Sequence, residues 1–123
     1  MSGPVHAALA SDPVLAAHYA EFRSRAEGAL DPALVALVWQ AVATAHGIDA
    51  APIDDSALDE GTRAAIAYAR RMPFEHTAIS DAEAAAMVAH LGEPGFVAFS
   101  VVTALADAEC RAALVDLPGL AAA

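Results

Sequence analysis

A single cysteine, Cys110, stands among 123 residues. One thiol excludes an internal disulfide, a C-x-x-C redox pair and a metal site built from several cysteines. Cations are scarce too: six Lys and Arg face sixteen Asp and Glu, a formal charge of −10 at pH 7. Such a charge repels phosphate backbones and anionic headgroups alike, which argues against nucleic acid and membrane as partners. No unbroken apolar run approaches a bilayer span, and the opening "MSGPVHAALASDP" lacks the cationic start of a signal peptide. The expected compartment is therefore the cytoplasm. Glycine-rich phosphate loops, serine nucleophile elbows, H-E-x-x-H and paired histidines at helical spacing are missing, so neither a metal nor another cofactor is expected.

What is abundant is apolar surface. Apolar residues make up 58% of the chain, against roughly 45–50% in ordinary soluble domains, and much of the surplus is alanine. In a chain of one-domain length this points to closely packed helices and a subunit interface. Ser11 or Asp12 can cap a first helix with Pro13 in its opening turn. Leu15, His18, Tyr19, Phe22 and Ala26 recur at three- and four-residue steps as its inner face, and Gly28 ends it. Asp31 and Pro32 repeat the start signal for a second helix, lined by Leu34, Leu37, Val38, Ala41 and Val42, that stops before Gly47.

The acidic linker "IDAAPIDDSALDE" follows, its run of Asp49, Asp54, Asp55, Asp59 and Glu60 reading as a solvated face. Ser56 or Asp59 opens a third helix with Ala65, Ile66 and Ala69 inward, and Pro73 is expected to have ended it by about Arg71. Ser80-Asp81-Ala82-Glu83 is a capping box for a fourth helix from Asp81 to His90. Glu93-Pro94 starts the fifth and longest, carrying Phe96, Phe99, Thr103, Ala106, Cys110 and Leu114, and Pro118 follows its end. No segment alternates like a strand between hairpin turns. The fold class is all-α: one domain over residues 1–123, a bundle of about five helices, with residues 1–10 a flexible terminus.

The helix "TRAAIAYARRM", the loop "PFEHTAIS", a capped short helix and a long apolar helix ending in "ADAECRAALVDLP" follow one another in an order that resembles the AhpD-like superfamily. That superfamily includes alkylhydroperoxidase D and carboxymuconolactone decarboxylase. The N-terminal "DPVLAAHYAEFRSRAEGALDPALVALV" is similar to its lead-in, so the resemblance covers most of the chain. It implies self-association, as a trimer or a hexamer. Peroxidase members carry a glutamate and then C-x-x-C with a histidine shortly after. Here the glutamate's place falls near Ala36, and "WQAVATAHGI" occupies the cysteine region with residues deleted. Without a thiol pair, peroxidase chemistry by that route is excluded. The decarboxylase branch handles a small acidic lactone by proton transfer without a cofactor, which is compatible with a chain poor in cysteine. Its own catalytic residues have no position-by-position match here.

Candidate chemistry centres on His46, at the last turn of the second helix. It either compensates the helix dipole beside a left-handed Gly47, or has inherited the place of the family histidine as a general acid–base. Glu75 and His76, adjacent in the loop after Pro73, are the candidate assistants, with a solvated loop as the plain alternative. Trp39, seven residues before His46 on roughly the same helix face, can wall a substrate pocket or anchor the core. Ser100, Thr103, Asp107 and Arg111 form one polar stripe on the last helix, with Asp107 and Arg111 paired at i, i+4. That stripe is expected to face solvent; facing a polar cavity or a subunit contact, Asp107 and Arg111 become substrate-binding groups. His18 reads as a buried histidine and His90 as a helix-end charge. Cys110, in an apolar register beside Glu109, reads as an inert thiol. Two functions follow. One is a cofactor-independent lyase, isomerase or cyclase acting on a small organic acid or lactone. The other is a non-catalytic AhpD-like binding or assembly module that has lost the peroxidase site.

Overall fold

A computed structural model describes residues 3–48 and 51–122; Asp49 of the acidic run lies outside them. All regular structure among the described residues is helical: α1 (Pro4–Ala8), α2 (Pro13–Gly28), α3 (Pro32–Ala45), α4 (Glu60–Glu75), α5 (Asp81–Leu114) and α6 (Leu117–Ala122). Short 3-10 turns lie at Asp55–Ala57 and His76–Ala78.

The caps follow from side-chain chemistry. Helix N-termini leave N–H groups without partners, and short polar side chains accept from them. Asp12 accepts from Leu15 N at 3.1 Å, Asp31 from Ala33 N at 2.8 Å and Asp59 from Thr62 N at 2.7 Å. The bond from Thr62 holds the Asp59 carboxyl below its ordinary value. Ser80 and Glu83 close the expected reciprocal box, with Glu83 N donating to Ser80 Oγ and Ser80 N to Glu83 Oε1.

Helices α3, α4 and α5 enclose the core. Val38, Val42, Ile66, Met87, Phe99 and Val102 are its largest fully buried apolar side chains, each between 0 and 1% exposed. Tyr68 meets both Phe96 and Phe99 edge-on, with 5.8 Å between ring centroids in each pair. The expected fourth and fifth helices run on as α5 but break at Gly92 (φ 77, ψ 164), a backbone region only glycine occupies without strain. By length and composition α5 can cross a bilayer. Of its most apolar stretch 17% is buried; beyond the break Ala98, Phe99, Val102, Thr103 and Ala106 are buried, and Phe99, Val102 and Ala106 belong to the core.

Four expectations give way. Residues 4–8, read as a loose terminus, form α1, because its Val5 N–H finds the buried carboxylate of Glu109 and the helix packs on α5 and α6. α4 does not stop at Arg71 but continues through Pro73, whose ring is buried and whose carbonyl accepts from Arg111. The stripe of α2 taken as its inner face largely points outward: Leu15 is 48% and Phe22 54% exposed, and His18 is exposed rather than buried, since α2 buries only Ala16. The polar stripe of α5 faces solvent only at its Arg111 end, where the side chain is 50% exposed. Thr103 is 1% exposed, its hydroxyl donating to Phe99 O, and Asp107 turns toward α3.

Candidate active site

His46 owes its position to the end of α3. Gly47 takes φ 72, Ile48 N bonds back to Ala43 O at 2.9 Å and Gly47 N to Thr44 O at 3.0 Å, the paired bonds of a Schellman stop. The stop turns the His46 side chain into the protein, where only 2% of it is exposed. Its Nε2 lies 2.6 Å from Asp107 Oδ1, across 61 residues of sequence. Phe74 meets the imidazole edge-on at 4.9 Å. Buried and bonded at one nitrogen, the ring has a fixed orientation.

Asp107 is shared. The same oxygen accepts from Arg111 Nε at 3.0 Å, one helical turn further along α5. Arg111 in turn donates from Nη2 to Pro73 O at 2.9 Å and lies over the Phe74 ring at 5.1 Å. The guanidinium thereby ties the end of α4 to α5 and holds both neighbours of the imidazole in place. His46, Phe74 and Arg111 line a pocket of about 620 Å³ whose other walls include Val5 of α1, Leu114 of α5 and Leu117 of α6. The volume is that of a small-molecule site, and the pocket is open to solvent, with Phe74, Leu114 and Val115 58 to 60% exposed.

Three of the residues named from sequence, His46, Asp107 and Arg111, thus meet at one place. Glu75 ends α4 and His76 opens the turn after it; both are exposed, and neither lines the pocket nor bonds to His46 among the described residues. Trp39 belongs elsewhere. Arg23 lies over its ring at 4.4 Å and its Nε1 donates to Glu27 at 3.2 Å.

That second cluster centres on Glu109, 4% exposed on α5. It accepts from the Tyr19 hydroxyl and, at 3.4 Å, from Val5 N, with Arg23 Nη1 at 3.8 Å. Desolvation, reinforced by Glu109, pushes the Tyr19 phenol up to about 12. Sequence reasoning passed over Glu109. A carboxylate seven residues after Val102 on the core face of a helix is the signal that an internal partner exists. Phe74 was passed over too, hidden beside a proline taken as a helix end.

Cys110 is buried, and that burial, with the Asp107 and Glu109 carboxylates nearby, raises its thiol above the ordinary value. Its character is that of a packing residue. Among the described residues no three His, Cys, Asp or Glu side chains converge as metal ligands would. No family model matches this chain, and neither a curated protein nor a solved structure matches it.

Proposed function

We propose that this chain is a divergent AhpD-like protein acting as a cofactor-independent lyase, isomerase or cyclase on a small organic acid or lactone. The observation that carries the proposal is the 2.6 Å pairing of His46 with Asp107 beside an apolar pocket that also presents Arg111. With Nε2–H donating to Asp107, the lone pair of His46 lies on Nδ1. That nitrogen takes a proton from a carbon next to the substrate carbonyl, leaving an enolate; returning the proton to another carbon gives an isomer, returning it to a β-oxygen as the C–O bond breaks and a C=C bond forms gives a lyase, and the reverse addition of that oxygen gives a cyclase. Asp107 balances the imidazolium while it exists. Arg111 faces the negative charge of the substrate. The step moves one proton out and one back and requires no oxidant, reductant or metal. In this role the protein is cytoplasmic, and neither nucleic acid nor membrane is its partner.

The test is proton exchange in deuterated water, followed by NMR on a panel of unsaturated lactones and small 2- and 3-oxo acids. Wild type exchanges or converts at least one compound, and His46→Ala, checked for native circular dichroism, loses roughly 10²–10⁴ of the rate. Equal rates in both proteins, or no exchange across the panel, would overturn the assignment.

A non-catalytic binding or assembly role draws support from a different observation. Val14, Leu15 and Phe22 on α2 and Leu114, Val115 and Leu120 near the last helix are each 48 to 67% exposed. Apolar side chains gathered on an outward helix face favour self-association, as a trimer or a hexamer. Sedimentation of wild type against a Leu15→Glu, Phe22→Glu variant separates the two roles: an assembly module becomes monomeric and loses its only property, whereas an enzyme keeps turnover.

A further inference from the structure

The pocket beside His46 has one polar end, and its chemistry narrows what can occupy it. Arg111 has five N–H donors, of which Nε is engaged by Asp107 and one on Nη2 by Pro73 O among the described residues. The rest of the fork is left for a carboxylate, which guanidinium recognises with two parallel bonds. Away from Arg111 and His46 the walls are hydrocarbon: Val5, Leu114, Val115 and Leu117, with Ala108 and Ala112 between them. A second carboxylate, a sugar or an ammonium group laid against those half-exposed walls would give up part of its water without a partner. The chain's own charge of −10 adds to the cost of a dianion.

Taking the pocket as the substrate site proposed above, we infer that it selects an apolar monocarboxylate of medium chain length. The carboxylate sits on Arg111 and the chain runs between Val5, Leu114 and Leu117. Each methylene half buried along those walls tightens binding about twofold, until the chain reaches the open end of the pocket.

Calorimetric titration of the wild-type protein with butyrate, hexanoate and octanoate reads this directly, with octan-1-ol and octanedioate as controls for the single charge. Expected is a dissociation constant that falls about twofold per added methylene, the increment for half burial. Octan-1-ol and octanedioate bind roughly three- to tenfold more weakly than octanoate, the range for a half-exposed guanidinium partner. Ala108→Phe, which fills the pocket from an exposed wall position, weakens octanoate more than butyrate. Affinities independent of chain length, octan-1-ol binding as tightly as octanoate, or octanoate unaffected by Ala108→Phe would each overturn the inference. Because the readout is binding, the two proposals fail separately. A protein that binds octanoate but moves no proton loses the enzymatic role alone, and one that exchanges protons without chain-length preference loses the ligand class alone.

Discussion

His46 and Asp107 are separable by a double-mutant cycle, because a buried imidazole and a histidine that merely ends a helix in solvent predict different couplings. With 2% of the side chain exposed, His46 cannot replace a lost partner by water. Asp107→Ala leaves its Nε2 buried and unbonded, a cost of about 1–3 kcal/mol. It also removes the Arg111 pair, worth about 0.2–1 kcal/mol where the guanidinium is half exposed. The single substitution should therefore destabilise by about 2 kcal/mol. His46→Ala removes the ring from Phe74 and should cost a similar amount, while the double substitution costs less than the sum because the bond can be lost only once. The expected coupling is about 1–2 kcal/mol, and Asp107→Asn, which keeps an acceptor, falls between wild type and Asp107→Ala. Urea unfolding followed by far-ultraviolet circular dichroism resolves this. With a slope of about 1.5 kcal/mol per molar, each 2 kcal/mol moves the midpoint by about 1.3 M. A histidine serving only the helix dipole gives at most about 1 kcal/mol for His46→Ala. A coupling below about 0.5 kcal/mol would refute the buried pair and, with it, the fixed imidazole on which proton transfer rests.

Phe99→Ala, at 0% exposure between Tyr68 and the core, should cost about 3–5 kcal/mol in the same denaturation assay. Tyr19 should titrate at about 12 by phenolate absorbance in a Tyr68→Phe background. Folding raises this group, so its contribution is complete below the ordinary value of 10.0 and is lost as pH climbs through about 12. With screening at this partly exposed site the contribution is on the order of 1 kcal/mol. Tyr19→Phe should flatten the stability profile in that window, and an unchanged profile would show that burial and Glu109 do not raise the phenol. Cys110, buried with a raised thiol, should react with a disulfide reagent slowly in native buffer and rapidly in urea; rapid native labelling would show that the C-terminal half of α5 opens readily.

The helices were legible because their signals are local. Asp12, Asp31, Asp59 and Ser80 each cap a helix through an N–H two or three residues away, and Gly47 and Gly92 mark a stop and a break that need φ near 75. Asp107 and Arg111 were legible for the same reason, one turn apart on one helix. Their meeting with His46 was not, since 61 residues separate it from Asp107 and no periodicity links α3 to α5. Adjacency misled instead: Glu75 and His76 are neighbours in sequence, yet both are exposed. The outward face of α2 was misread because helical spacing says which residues share a face, not whether anything covers it.

The pocket draws Val5 from the first helix and Leu117 from the last, and α1 hangs on α5 through Glu109. During synthesis, at about 5–20 residues per second, α3 and α4 can pair well before α6 leaves the ribosome. A chain halted before Leu117 therefore holds its interior yet lacks one wall of the pocket. Quality control that monitors exposed core would pass it, although the α6 side of the pocket has yet to form.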